Sequence, residues 1–152
     1  MFSGFFGSST WILSYFAVAG AGLFAGAAVY VSLVEHPARL SGSVAVALAE
    51  FGPSYRKGAK MQALLASLAS LLAIIAWVGD RQLGWLLGAL ALIFAILFTL
   101  IAIFPVNKKL LDPSLNPEDP QARLLLKRWG NLHFVRSLAG LMAFLTFIAC
   151  LS

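Results

Sequence analysis

Charge is scarce in this chain. Only 11% of its 152 residues are Asp, Glu, Lys or Arg, where a soluble domain carries about 25%. Set beside 61% hydrophobic residues, that shortage excludes a disordered chain and an ordinary soluble domain. Cysteine is nearly missing too. Cys150 alone cannot close an internal disulfide, which excludes a disulfide scaffold and leaves the redox compartment open. Acidic residues number 6 against 11 basic ones. That excess could serve nucleic acid, but no folded basic face can be built from stretches this short, and a membrane makes better use of asymmetric charge. Nucleic acid is set aside as a partner in favour of the lipid bilayer. The chain also lacks a Gly-rich phosphate loop, HExxH or CxxC metal spacing and a GxSxG elbow, so hydrolysis by a serine or cysteine nucleophile is disfavoured.

What is present is long apolar sequence. Four runs, 11–34, 61–79, 83–106 and 132–151, can each cross a hydrocarbon core of about 30 Å, which takes about 20 helical residues. Backbone groups in lipid must be satisfied within the segment, so each run reads as an α-helix. The first run has no basic leader and is longer than the apolar stretch of a signal peptide, so it reads as a permanent helix. The predicted fold is all-α: one domain over residues 1–152, an integral membrane four-helix bundle running up-down-up-down. No oligomeric state follows from it.

The connections are unequal. Gly79-Asp80-Arg81-Gln82 allows only a tight hairpin. In the 35–60 connection, Ser43 can cap a short helix through Phe51 at the membrane surface, ended by Gly52 and Pro53, with Ser54 capping the next helix. In the 107–131 connection, Asp119 and Pro120 make a helix start, so helix four begins outside the membrane, with Gly130 as its weak point. Pro37 is expected to end helix one at His36 and Pro105 to break helix three before Asn107. Arg39, Arg56, Lys57, Lys60, Lys108, Lys109, Arg123, Lys127, Arg128 and Arg136 lie on the side of the long connections, and Arg81 alone lies on the other. The positive-inside rule therefore places both long connections in the cytoplasm and both termini on the opposite side.

Polar chemistry collects at that same end, in Glu35, His36, Tyr55, Gln62, Asn107, Trp129, Asn131, His133 and Arg136. Only 16 residues follow Arg136, about 24 Å of helix, so Arg136 is drawn below the interface, where an ionisable side chain faces the bundle interior. At 100° per residue, Trp129, His133, Arg136 and Gly140 form one inward stripe, and Tyr55, Gly58, Gln62, Ala66, Ala69 and Ala73 form another. Gly22 and Gly26 read as a close-packing pair inside the bundle rather than a dimer seam. A metal ion could be held by His36 and His133 with Glu35 or Asn107, but no i, i+4 ligand pair is present. Acid-base chemistry is the more natural reading. His36 or His133 takes a proton, Asn107 and Arg136 steady a developing oxyanion, and Tyr55, Gln62 and Trp129 bind a flat, membrane-partitioning aromatic molecule.

The segments Val34-Glu35-His36-Pro37-Ala38-Arg39, Tyr55-Arg56-Lys57-Gly58, Pro105-Val106-Asn107-Lys108-Lys109-Leu110 and Trp129-Gly130-Asn131-Leu132-His133-Phe134-Val135-Arg136-Ser137 together resemble the anthrone oxygenase-like family of small four-helix membrane proteins. The resemblance covers nearly the whole chain in order and spacing. It implies an oxidoreductase, a monooxygenase that converts an apolar, anthrone-like substrate to the quinone with O2 as co-substrate and no firmly associated cofactor. The residues matching the family pattern are His36, Asn107, Trp129, His133 and Arg136. Relatives often carry tryptophan where this chain has Tyr55. Two other classes stay open at this stage: a small-molecule transporter or channel subunit, which would ordinarily keep an acidic residue at mid-membrane, and a non-catalytic membrane partner protein.

Overall fold

The computed structural model describes residues 3–152, with side chains from Trp11 onward. Helix α1 (Ser3–Tyr30) passes through one π-helical turn (Val31–Glu35) into α2 (His36–Ser41), and after Gly42 the chain returns as α3 (Val44–Asp80). Helix α4 (Leu83–Phe98) passes through a second π turn (Thr99–Ile103) into α5 (Phe104–Leu110), and α6 (Pro120–Cys150) completes the chain. These make four rods long and apolar enough to cross a membrane, Trp11–Ser41, Val44–Asp80, Leu83–Leu110 and Pro120–Cys150. Among the described residues there is no strand. The protein is a multi-pass, all-α membrane protein.

Rods α1 and α4 each pack against both α3 and α6, so they stand on one diagonal of a four-cornered bundle. Lipid gives helices little hydrophobic reason to associate, and close approach of small side chains takes its place. The lower core is accordingly built from alanines, with Ala17, Ala21, Ala66, Ala69, Ala73, Ala89 and Ala143 fully buried around Phe24, Trp85 and Phe147. Gly22 turns toward Phe144, whereas Gly26 meets nothing nearby. A second cluster, Phe51, Ile103, Val106, Leu110, Leu126 and Trp129, caps the end that carries the long connections.

The tight hairpin is present. Arg81 takes the left-handed conformation with φ 61°, its N–H bonds the Trp77 carbonyl, and Asp80 accepts from Gln82 N at 2.9 Å and Trp85 Nε1 at 3.0 Å. Two of the three predicted caps are made: Ser43 accepts from Val46 N at 3.3 Å and Asp119 from Gln121 N at 2.8 Å, whereas Ser54 lies inside α3 and donates back to the Phe51 carbonyl instead of capping a helix.

The prolines depart from expectation. Helix continues through His36 to Ser41 and through Asn107 to Leu110, because a π turn precedes each proline. Its wider loop, seen in the His36 N–H reaching Val31 O and the Phe104 N–H reaching Thr99 O, gives room for a ring that a regular α-helix would push against the preceding turn. Pro53 likewise lies inside α3. No separate surface helix ends at Phe51, and residues 44–51 form the first turns of one 37-residue helix whose Ala47 and Phe51 are buried. Gly130 is no weak point either: α6 is unbroken, and a side chain there would sit 2.5 Å from the His36 ring.

Packing this close makes a direct prediction. A methyl group on Gly88 would lie 2.6 Å from Phe147 Cδ1, so Gly88→Ala lowers stability by about 1–3 kcal/mol through overpacking. Gly26→Ala, which meets nothing within 4 Å, leaves the melting temperature in detergent unchanged.

Candidate functional site

Between the lower alanine core and the upper cluster lies a chamber whose empty volume, open mouth included, is about 840 Å³. Phe24, Ala66 and Ala95 of the lower core form part of it, and Phe51, Ile103 and Trp129 of the upper cluster form another part. Both π turns reach it, through Val31 and Glu35 on one side and Thr99, Leu100 and Ile103 on the other. The extra residue in each turn swings side chains that a regular helix would aim elsewhere, a common use of π turns at functional sites.

Of the residues singled out in the sequence, Glu35, Tyr55, Gln62, Trp129, His133 and Arg136 line the chamber. His36 and Asn107 do not. Asn107 is 1% exposed, and its Oδ1 accepts the Trp129 Nε1–H at 2.7 Å. His36 packs on Trp129 with ring centroids 5.0 Å apart and, with the exposed Asn131, borders a separate outer recess. Both residues therefore bear on the chamber through Trp129. Among the described residues, no three His, Cys, Asp or Glu side chains come together as a metal site would require; Glu35 is engaged by Arg39.

Trp129 ties the aromatic wall together. Its indole stacks on His133 at 4.7 Å and 26°, meets Phe51 edge-on at 5.3 Å, and Phe51 lies parallel to Tyr55 at 5.6 Å.

The His133 ring is held by two serines. Ser137 Oγ lies 2.9 Å from the Ala28 carbonyl. Ser32 Oγ lies 2.9 Å from Ser137 Oγ, and either hydroxyl can donate in that contact. His133 Nδ1 lies 3.0 Å from Ser32 Oγ and 3.4 Å from Ser137 Oγ, so both hydroxyls hold that edge of the ring. With Nδ1 engaged by the serines, His133 lines the chamber.

Arg136 is 9% exposed and donates to Gln62 Oε1 at 2.6 Å, with Phe24 beneath its guanidinium at 5.1 Å. Its Nε has no partner. Among the described residues it has no carboxylate, since both ion pairs belong to Arg39.

The anthrone oxygenase family model matches residues 51–146, well over half of the chain. This chain belongs to the anthrone oxygenase family. No curated protein and no solved structure matches it. The stretch matching the anthrone oxygenase family holds Tyr55, Gln62, Asn107, Trp129, His133 and Arg136, while Ser32, Glu35, His36 and Arg39 precede it.

Arg39 was read from sequence only as a surface charge that sets orientation. Its side chain is 2% exposed. It binds Glu35, donates to Glu50 Oε2 at 2.8 Å and to Ser54 Oγ at 3.0 Å, and lies 5.7 Å from the Phe51 ring centre. The signal was available, since Glu35 and Arg39 are four apart and share a face, but it needed a helix that continues past Pro37. Ser137, four residues after His133, carried a similar signal, whereas nothing local marked Ser32 or Phe24.

Asn107→Leu strands the buried Trp129 Nε1–H and costs about 1–3 kcal/mol, because an orphaned donor bears its full desolvation penalty. Adding Trp129→Phe removes that donor, so the double variant melts higher than the sum of the two single losses predicts, measured as a double-mutant cycle in detergent.

Proposed function

We propose that this protein oxidises an apolar, anthrone-like aromatic ketone with O2 inside the chamber. The observation that carries this reading is that Arg136, with no carboxylate partner among the described residues, and His133 line one aromatic-walled space. A buried cation without an acid is costly, which presets the site for a ligand that gains negative charge.

In this reading His133 Nε2 takes the proton from the activated ring carbon, a general-base step worth about 10²–10⁴ in rate. The electrons of the broken C–H bond move onto the ring oxygen, where Arg136, held by Gln62, steadies the phenolate-like anion. That anion reduces O2, and a C–O bond forms as a peroxide that takes a proton back from His133. Loss of the second hydrogen from the same carbon, with cleavage of the O–O bond, gives the quinone carbonyl and one water. Substrate CH2 and O2 thus become C=O and H2O, with no external reductant. Trp129, Phe51 and Tyr55 offer flat faces to the ring system. His36 and Asn107 act through Trp129, as positioning residues, and Ser32 with Ser137 holds the Nδ1 edge of the His133 ring.

Below the chamber the core is alanine and aromatic side chains, which favours a closed reaction chamber over a transport pathway. With Arg39 and Arg136 buried, the other eight basic residues at that end are exposed, and this bias supports a cytoplasmic setting for both long connections.

Purified protein in nanodiscs, supplied with anthrone and O2, forms anthraquinone faster than empty nanodiscs, and His133→Ala lowers kcat by at least about 100-fold. A wild-type rate equal to that of empty nanodiscs would sink the proposal. Ser32→Ala reduces kcat by roughly tenfold with KM little changed, the size expected when one orienting hydrogen bond is lost, and Ser32→Thr, which keeps the hydroxyl, restores it.

A further inference from the structure

The two ways into the chamber are unlike. At the end carrying the long connections, Arg39 of α2 is bound to Glu50 and Ser54 of α3 and to Glu35. Phe51 fills the space beneath that clamp, 5.7 Å from the guanidinium. Charge-assisted bonds of this kind hold two elements together, so that end is shut.

The flank between α3 and the second π turn has no such closure. There α3 presents Gly58, Ala59 and Ala63 to the chamber, and the facing rod presents Thr99 and Leu100. Ala63 and Leu100 line the chamber and are also exposed on the outer surface of the bundle, Leu100 by 59%. At those positions the wall is one residue thick, and on the α3 side it consists of hydrogen atoms and methyl groups. The same two rods are pinned together at their other ends by the Asp80–Arg81–Gln82 turn, well away from the flank beside the chamber.

The depth of the thin wall says what lies outside it. Ala63 is nearly one helical turn further in than the exposed Lys60, and Leu100 precedes the exposed Lys108 by about 12 Å of helix. The basic residues mark the interface, so the thin wall faces hydrocarbon rather than water.

The geometry points to a lateral portal between α3 and the second π turn, through which a flat polycyclic ketone enters from the bilayer core and its quinone returns there. The portal rests on the proposed function for the class of ligand, but not for the chemistry. A molecule that partitions into lipid meets this flank at high local concentration, passes edge-on between alanine and leucine, and never crosses the Arg39 clamp. Ala63 then sets the width of the opening.

The test is the rate of binding, which is independent of turnover. Full-length protein in nanodiscs is mixed with anthraquinone, and quenching of tryptophan fluorescence is followed by stopped flow. Ala63→Phe slows both association and release by about tenfold or more, as expected for a narrowed gate that leaves the two end states alone. Leu100→Trp does the same from the facing rod and stands in should Ala63→Phe fail to fold. Leu68→Phe, on the lipid-facing surface of α3 away from the chamber, binds at the wild-type rate. Unchanged rates in both portal variants overturn the portal, as does faster binding on opening the clamp with Arg39→Met while Ala63→Phe stays at the wild-type rate. Wild-type binding of anthraquinone without any quinone formation from anthrone would remove the proposed reaction and leave the portal standing.

Discussion

The indole of Trp129 is where the two halves of this bundle are held in register, because it is bonded or packed to a residue from each of the other three rods. Asn107, on the α4–α5 rod, takes its N–H, His36 from the first rod and Phe51 from α3 lie against its ring, and His133 on its own helix stacks one turn below. A buried N–H without an acceptor costs about 1–3 kcal/mol, so the single bond to Asn107 fixes where the ring can be. The position of the ring then fixes the roof of the chamber and one face of His133. Had Trp129 turned outward, Asn107 would have both ends of its amide unmet, since its Nδ2 already lacks a partner.

The chamber itself is a consequence of two prolines. A regular helix through residues 31–41 would drive the Pro37 ring against the carbonyl one turn earlier, and the same holds at Pro105. Widening each helix by one residue just before the proline relieves the clash, and both widened turns fall at the level of the chamber. Because the helix continues past Pro37, Glu35 and Arg39, four residues apart, share a face and meet, while Thr99 and Leu100 line the chamber. The rods stay continuous, so polar groups near the prolines are gathered inward instead of being shed into a loop.

That accommodation also marks the limit of what could be read from the residues alone. Span number, the tight hairpin, the caps at Ser43 and Asp119 and the inward stripe of Trp129, His133 and Arg136 all rest on local rules of length, spacing and capping, and they were legible. The helix ends were not, because proline reads locally as a stop, and only packing decides whether the chain widens or breaks. The burial of Arg39 depends on that decision, so it was misread along with the helix end at His36. The pairing of Asn107 with Trp129 spans 22 residues and depends on how α5 leans on α6. Asn107 was legible as a polar residue in the right region, and its partner was not.

Two buried arginines now stand within one small region with opposite fates. Arg39 is saturated by two glutamates and a serine, and its charge is spent on closing the end of the chamber. Arg136 has one amide oxygen, one aromatic face and an unmet Nε. A carboxylate in place of Gln62 would satisfy Arg136 and cancel its field within the chamber. A neutral partner keeps the guanidinium in place without neutralising it, which is the arrangement an electrostatic catalyst needs before the reaction begins. The scarcity of acid in this chain therefore has a local meaning: the few glutamates near the chamber are committed to Arg39, and the cation that lines the chamber is left without a carboxylate.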